Sequence, residues 1–234
     1  QFAEPLLPMV GCTQNDYHLY DVWEHCLKAV EYVDPSGLSM PAWEVRLAAL
    51  LHDVGKPATK TVDENGAVHF YEHDRVGAQI AREWLRSLRY SNETIERITT
   101  LVRLHMRPGL YTPEWGDGAV RRLIRDAGDL LEPLLRLVEA DIKAQRHDVV
   151  HADIAALRER IAQVQAAQPP TRWRSPLTGE QLMQHFGLKP SPLVGQLKQH
   201  LEEQVIEGAL HPDDTEHALR MAEAYLRQIQ EPSV

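Results

Sequence analysis

Cysteine is scarce in this chain, and its two copies lack the spacing of a metal or redox motif. Cys12 and Cys26 are the two cysteines among 234 residues, and no CxxC pair occurs. A zinc ribbon needs several closely spaced cysteines, and a small disulfide scaffold needs a denser set. The sequence therefore excludes both classes and indicates a reducing, cytoplasmic location.

Long apolar runs and an excess of basic residues are also missing. No run of about 18 apolar residues occurs, so we expect no membrane-spanning helix and no membrane partner. The 34 acidic residues outnumber the 25 basic ones, which gives a formal net charge of −9. This acidic balance disfavours general attraction to a phosphate backbone, although a local basic patch is compatible with it.

Helical periodicity dominates what is present, so the fold class predicted is all-α. Asn65-Gly66 lies within the one stretch that alternates β-branched and polar residues, residues 59–71, which predicts a β-hairpin. A linker is expected at residues 168–171, which divides the chain into a helical domain, 1–167, and a C-terminal helical appendage, 168–234. We expect helices over residues 21–33, 41–55, 73–88, 92–106, 119–127, 130–145, 148–165, 179–186, 192–207 and 214–229.

Six polar residues stand at helical spacing from apolar ones, where an ordinary core would place aliphatic side chains. His105, for example, follows Leu101 and Val102 at the spacing of one helix face. An ionised carboxylate that is buried alone costs many kcal/mol, so the acids of this set need partners. Two explanations stay open: a cation shared with neutral imidazoles, or separate ion pairs. The six are His25, His52, Asp53, His73, His105 and Asp141.

The order of these residues resembles that of the HD-domain metal-dependent phosphohydrolases. His25 stands in DVWEHCL, His52 and Asp53 stand together in LLHDVGKP, and Asp141 stands in EADIKA. A His-Asp dipeptide alone carries no information, because His73 and His147 begin two others in the same chain. The longer segment LLHDVGKP therefore carries the resemblance, which implies an HD-domain helical bundle.

The stretches QNDYHLYDVWEH, FYEHDRVGA and LTGEQLMQHFGL narrow this resemblance. They are similar to the HD-containing C-terminal region of bacterial tRNA nucleotidyltransferases and poly(A) polymerase-like proteins, and the similarity includes the appendage. The catalytic head of that family carries a Gly-Ser pair followed by an Asp-x-Asp site, and the chain has neither in a strand-like context. We therefore expect no nucleotide addition by this chain alone: either the head has been removed or the chain is a stand-alone relative.

The resemblance implies one or two divalent metal ions. It assigns four residues to a first ion: His25, His52, Asp53 and Asp141. His73 and His105 would hold a second ion in binuclear members, or would contact the substrate phosphate in mononuclear ones. Nitrogen and oxygen donors suit Mn²⁺, Fe²⁺, Ni²⁺ or Mg²⁺, and the histidine content excludes an all-carboxylate magnesium cage.

The chemistry implied is hydrolysis of a phosphoester by a metal-activated water. A bound metal lowers the pKa of water from ~15.7 towards ~7, which supplies a nucleophile at neutral pH. Asp53 is expected to hold metal and to orient the water, and Lys56 to act on the phosphate as a point charge. Arg75 is a second candidate for phosphate binding, and His18 is a candidate for substrate contact.

Three functions remain open on the sequence. The first is a phosphodiesterase or phosphatase that acts on nucleotides or RNA ends, 2′,3′-cyclic phosphates included. The second is the tRNA-binding body of a nucleotidyltransferase-like protein, although from residue 150 onward eight basic residues face eleven acidic ones, a poor footprint for RNA. The third is a dNTP or dinucleoside polyphosphate hydrolase with the same metal site. The sequence predicts no oligomeric state.

Overall fold

The computed structural model describes residues 3–14 and 19–230, and it confirms the predicted all-α class with one small hairpin. The two strands are β1 (Lys60–Val62) and β2 (Val68–Phe70). The helices in the first half are α1 (Val22–Tyr32), α2 (Ala42–Leu51), α3 (Lys56–Thr59), α4 (His73–Ser87), α5 (Asn92–Leu104) and α6 (Met106–Gly109). Those in the second half are α7 (Asp117–Ala127), α8 (Leu131–Ala144), α9 (Ile154–Ala167), α10 (Gly179–Phe186), α11 (Pro192–Glu207) and α12 (Thr215–Gln230).

Two helix boundaries differ from the prediction for local reasons. Helix α2 ends at Leu51 and not at 55, and the chain then forms the short helix α3, where Pro57 lies in the first turn and its missing N–H is no loss. Helix α9 begins at Ile154 and not at 148, because the Asp153 side chain accepts the Ala156 N–H at 2.9 Å and caps the helix there.

Helices α1 and α5 begin at residues whose side chains accept an otherwise unpaired backbone N–H. Asp21 Oδ1 accepts from Glu24 N at 2.8 Å, and Ser91 Oγ accepts from Thr94 N at 3.1 Å. A cap of this kind contributes about 1 kcal/mol and fixes where the helix starts. These starts set the register of the two helices that lead to His25 and His105.

The first of two compact units comprises residues 1–113 and 126–157, as far as they are described. Helix α1 packs against α8 and α2, α2 also packs against α5 and α8, and α4 packs against α5. The apolar faces of these helices form the core, with fully buried side chains such as Leu51, Ile98, Leu101, Leu134 and Leu137. This core lies beneath the polar residues singled out above.

The hairpin in this unit is antiparallel, with Thr61 opposite His69. Its turn is closed by Asp63, whose Oδ1 accepts the N–H groups of Asn65 and Ala67 at 2.9 Å each. Gly66 has a φ of 83°, which favours glycine because it has no Cβ. Strand β2 leads almost directly into α4, so the hairpin lies beside the start of that helix.

The second unit comprises residues 114–125 and 158–234, as far as they are described. Its core is apolar, with buried side chains that include Leu182, Leu197 and Leu201. The unit draws on two separate stretches of chain, whereas the predicted domain boundary after residue 167 is a single cut. That boundary stays a prediction.

No helix among the described residues is long and apolar enough to cross a bilayer. Cys12 and Cys26 are both free thiols.

A candidate metal centre

The six polar residues that the sequence places on apolar helix faces come together in the first unit. They arrive from separate segments: α1, the turn after α2, the start of α4, the end of α5, and α8. His25, His52 and Asp53 are each 1% exposed, and His105 is 2% exposed. The segments therefore converge on a buried polar cluster within a helical core.

Four donor atoms form one half of this cluster. His25 Nε2 lies 2.9 Å from Asp141 Oδ1 and 3.2 Å from His52 Nε2. His52 Nε2 lies in turn 3.2 Å from Asp53 Oδ2 and 3.6 Å from Asp141 Oδ1. Each of the two imidazole nitrogens thus lies within 3.7 Å of both carboxylate oxygens, and this donor set suits a divalent transition metal.

Asp53 Oδ1, the other oxygen of that carboxylate, faces a second group of donors. It lies 3.3 Å from His73 Nε2 and 3.7 Å from His105 Nε2, and those two nitrogens are 3.4 Å apart. Each group, His25–His52–Asp53 and Asp53–His73–His105, has the spacing of a metal-binding cluster. Asp53 is the member that the two groups share.

Three of the imidazoles are oriented by the same local contact. Each Nδ1 donates to the carbonyl oxygen three residues earlier: His52 to Ala49 (2.7 Å), His73 to Phe70 (2.7 Å) and His105 to Val102 (2.6 Å). Since a carbonyl oxygen only accepts, Nδ1 carries the ring proton, and the lone pair of a neutral ring is at Nε2. Carbonyl anchoring of this kind is typical of metal-binding histidines.

A cation fits this cluster better than the protein groups alone. The Nε2 atoms of His25 and His52 are 3.2 Å apart and both face carboxylate oxygens, so without a cation they need a proton there. Asp53 Oδ2 is buried and accepts no hydrogen bond of regular geometry from the described residues, although charged groups lie near it. A buried carboxylate oxygen in that state is costly unless a proton or a cation satisfies it.

The electrostatics of the cluster keep its two acids charged. Burial alone would raise the pKa of Asp53, but the charges of His52 and Lys56 hold it well below its usual range. Burial likewise acts against ionisation of Asp141, yet hydrogen bonds from His25 and His52 hold its pKa well below the usual range. Two ionised carboxylates in a buried pocket attract a cation.

The surroundings shift the pKa values of two imidazoles of the cluster in opposite directions. Burial would lower the pKa of His52, but the neighbouring Asp53 and Asp141 raise it well above the ordinary value. Burial lowers the pKa of His105 to about 4, and the charge of His52 acts in the same sense. Burial thus favours the neutral form of His105, which is the form that binds a metal, whereas the acids beside His52 favour its protonated form.

Lys56 reaches the cluster from the first turn of α3. Its Nζ lies 2.7 Å from Asp53 Oδ2, donates to Gln14 Oε1 at 2.6 Å, and stands 5.4 Å from the centre of the Phe70 ring. The sequence predicted that Lys56 acts on the substrate phosphate, and that role stays a prediction; nothing in the local pattern pointed to its contacts with Gln14 and Phe70.

Two glycines, Gly55 and Gly77, allow the two halves of the cluster to lie close together. A Cβ on Gly55 would lie 2.1 Å from the His73 carbonyl oxygen and 2.6 Å from the Gly77 nitrogen. The turn between Asp53 and Lys56 therefore lies directly against the first turn of α4. The glycine of LLHDVGKP is a sequence signal, but its partner Gly77 is visible only in the fold.

A cavity of about 500 Å³ opens beside the cluster. Its polar side is formed by Asp53, Lys56, His73, His105 and Asp141. The rest of its lining is largely apolar and was not predicted from the sequence. It includes Val68, Phe70, Tyr71, Met106, Leu110 and Val150. Four of the six candidate metal ligands are thus accessible to a small molecule.

One predicted substrate contact, Arg75, is not among the residues that line this cavity. Arg75 is exposed, lies 3.6 Å from Glu72, and lines a separate groove of about 350 Å³ with Arg82 and Arg103. Residues two apart on a helix point to opposite sides, so Arg75 cannot share the direction of His73. His18 lies outside the described residues. The roles of both in substrate binding stay predictions.

Comparison with known proteins agrees with this geometry. The HD domain family model matches residues 15–156. The CC-adding tRNA nucleotidyltransferase of Thermus thermophilus is 39% identical over 208 residues, 88% of this chain and 46% of that protein. The A-adding tRNA nucleotidyltransferase of Deinococcus radiodurans is 33% identical over 209 residues, 82% of this chain and 44% of that protein.

The chain spans less than half the length of these two relatives. The similarity to tRNA nucleotidyltransferases expected from the sequence is confirmed. The family match covers more than half of the chain and includes every residue of the cluster, so the chain belongs to the HD domain family.

Proposed function

We propose that the chain is a metal-dependent phosphohydrolase, a phosphodiesterase or phosphatase that acts on nucleotides or RNA ends. The observation that carries this proposal is the pair of donor groups that share Asp53 at the polar side of an open cavity. Phosphate hydrolysis at neutral pH needs both a nucleophile made from water and neutralisation of phosphate charge. A divalent ion supplies both when it is bound in such a site.

The residues of the chain would act around that ion as follows. His25, His52, Asp53 and Asp141 would hold it, and His73 and His105 would hold a second ion or contact the phosphate. Lys56 would neutralise a phosphate oxygen, because its ammonium group lies beside the donor atoms at the wall of the cavity. Asp53 would accept a hydrogen bond from the attacking water and orient it. Mn²⁺, Fe²⁺, Ni²⁺ and Mg²⁺ all suit this mixed nitrogen and oxygen donor set.

The volume of the cavity and the names of the two relatives support this substrate class. A cavity of about 500 Å³ is within the range of about 300–1,000 Å³ that small-molecule sites occupy. The two relatives are named for adding nucleotides to tRNA, so an RNA end, including a 2′,3′-cyclic phosphate, is a suitable substrate. A dNTP or a dinucleoside polyphosphate would use the same metal centre and is the competing choice.

A second candidate function is RNA binding without hydrolysis, as part of a tRNA nucleotidyltransferase-like protein. The similarity to the two relatives favours it, since the matched region includes the second unit as well as the HD domain. The chain would then bind tRNA while its metal centre plays a structural or regulatory part.

One experiment separates these functions. Purified protein is stripped of metal, reloaded with Mn²⁺, Ni²⁺ or Mg²⁺, and assayed on an aryl phosphodiester, 2′,3′-cyclic nucleotides, nucleoside monophosphates and dNTPs, with elemental analysis alongside. Metal-dependent turnover of a cyclic nucleotide or monophosphate supports the proposal. Preference for dNTPs supports the competing substrate. A metal-loaded protein that turns over none of them leaves RNA binding as the better explanation.

We also propose a cytoplasmic location, because both cysteines are free thiols and a reducing compartment keeps thiols free.

A further inference from the structure

The mouth of the cavity carries apolar surface that phosphoester hydrolysis does not itself require. Tyr71 is 70% exposed, Leu110 is 62% exposed and Val150 is 96% exposed, and all three line the cavity. A single exposed apolar side chain on a protein surface needs no explanation. Several at the entrance of one cavity, next to a polar cluster, are typical of a ligand-binding site.

Tyr71 is held in place by the hairpin. Its ring stacks on the imidazole of His69, with centroids 5.3 Å apart and ring planes only 11° from parallel. The His69 ring is positioned in turn by Asp63, whose Oδ2 lies 3.1 Å from His69 Nε2. An aromatic ring that is oriented in this way loses little conformational freedom when a planar ligand stacks on it.

The two sides of the cavity fit the two parts of one molecule. Lys56 and the donor cluster suit a phosphate, whereas the aromatic and aliphatic residues at the mouth suit a planar apolar group. Phe70 also lines the cavity, and its ring stands 5.4 Å from Lys56 Nζ, which brings an aromatic face close to the polar residues. A nucleotide has this arrangement, with a base held a short distance from its phosphate.

We infer that Tyr71, supported by His69, stacks on the base of the nucleotide or RNA end whose phosphate lies at the metal centre. This inference rests on the proposed hydrolytic function and adds a specificity-determining residue to it. Stacking on a tyrosine tolerates any base, since every base has a π face. The enzyme is therefore selective for the presence of a base and not for its identity.

The test compares two substrates that differ only in the base. One is a nucleoside 2′,3′-cyclic phosphate, and the other is the cyclic phosphate of 1-O-methylribose. Tyr71→Ala is expected to raise KM for the nucleotide about tenfold with kcat nearly unchanged. It should leave both constants for the base-free compound as they are, and Tyr71→Trp should restore the nucleotide KM.

Tyr32→Ala is the matched control, because Tyr32 is 43% exposed on α1 and does not line the cavity. Equal losses on both substrates, or an unchanged KM for the nucleotide, would overturn the inference. So would inhibition by an aliphatic phosphomonoester of similar size that is as strong as inhibition by a nucleoside monophosphate, since the mouth would then bind apolar groups of any shape.

A binding measurement tests the base site separately from the proposed hydrolytic function. If the metal-loaded protein hydrolyses neither substrate, hydrolysis of cyclic phosphates is wrong, and the base site is examined by calorimetric titration with adenosine monophosphate and ribose phosphate. About tenfold tighter binding of the nucleotide, lost in Tyr71→Ala, supports the base site without catalysis. Equal affinity for the two ligands refutes it.

Discussion

Asp53 belongs to both halves of the candidate metal centre because its two oxygens face different donor groups. Oδ2 lies 3.2 Å from His52 Nε2 and 2.7 Å from Lys56 Nζ, while Oδ1 lies 3.3 Å from His73 Nε2. A carboxylate can bridge two cations with one oxygen to each, whereas an imidazole with one available lone pair cannot. The charge of this side chain is therefore more important than its volume.

Asp53→Asn should reduce metal-dependent hydrolysis by at least about a hundredfold, which corresponds to about 2.7 kcal/mol of transition-state stabilisation. The amide preserves the shape but removes the negative charge that holds the cation. Elemental analysis and kcat/KM on a cyclic nucleotide measure the effect, and circular dichroism checks the fold. A variant that keeps its metal and its turnover would refute the role assigned to Asp53.

Lys56→Met should lower kcat/KM for phosphoesters while metal content stays constant. Methionine keeps most of the buried stem, so the change chiefly removes the charge that faces the phosphate. Metal content from elemental analysis and steady-state kinetics are measured on the same preparation. Loss of metal would instead mean that Lys56 supports the donor cluster through its contact with Asp53.

Metal binding should strengthen as the pH rises through the neutral range. The pKa of His52 is raised well above its ordinary value, so at neutral pH the metal-free protein holds a proton there, and a metal ion must displace it. His105, with a pKa of about 4, releases no proton above pH 6. Calorimetry in buffers of different ionisation enthalpy should detect proton release when the metal binds, and an affinity independent of pH would contradict this.

At the scale of elements, the cluster depends on how closely the turn after α2 approaches the start of α4. Gly55 and Gly77 allow the two backbones to touch, and this contact places Asp53 within reach of His73. The hydrogen bonds that orient His52, His73 and His105 also depend on single elements, because each Nδ1 donates to a carbonyl oxygen of its own helix end or loop.

Gly55→Ala should destabilise the protein by about 1–3 kcal/mol, because the added methyl overlaps backbone that cannot easily move. It should also impair metal binding by separating Asp53 from His73. Gly195→Ala in α11 is the control, since nothing lies within 4 Å of its Cβ position. There alanine should be neutral or stabilise the helix by up to about 1 kcal/mol. Thermal unfolding compares the two, and equal stability would show that the contact is not tight.

At the scale of the whole molecule, every residue of the metal centre belongs to the first compact unit. The second unit contains residues 114–125, which lie between parts of the first in sequence. Within it, Arg122 and Arg125 of α7 pair with Glu207 and Glu203 of α11. The arginines of α7 thus connect helices that are distant in sequence.

A chain truncated after residue 167 should retain part of its hydrolytic activity, because it keeps the whole first unit. It should unfold at a lower temperature, since α7 loses the α11 carboxylates with which its arginines pair. Metal-dependent hydrolysis and thermal unfolding of the truncated chain measure this. Complete unfolding would show that residues after 167 are needed for the first unit to fold, and would make the predicted boundary wrong.

The amino-acid sequence was sufficient to predict the helical class, the hairpin at Asn65-Gly66 and the set of polar residues that meet in the core. These follow from short-range patterns, because periodicity, turn residues and the segment LLHDVGKP each involve residues that are close together in the sequence. Helix ends were less predictable, since a single cap such as Asp153 moves a boundary by several residues.

The tertiary structure alone decided how those residues are used. It assigns the two oxygens of Asp53 to different donor groups, places Arg75 outside the cavity, and makes Tyr71 part of its mouth. Each outcome depends on which helices pack together and on the direction in which a side chain leaves its helix. Spacing along the chain cannot encode these relations, because they join atoms that are tens of residues apart in sequence.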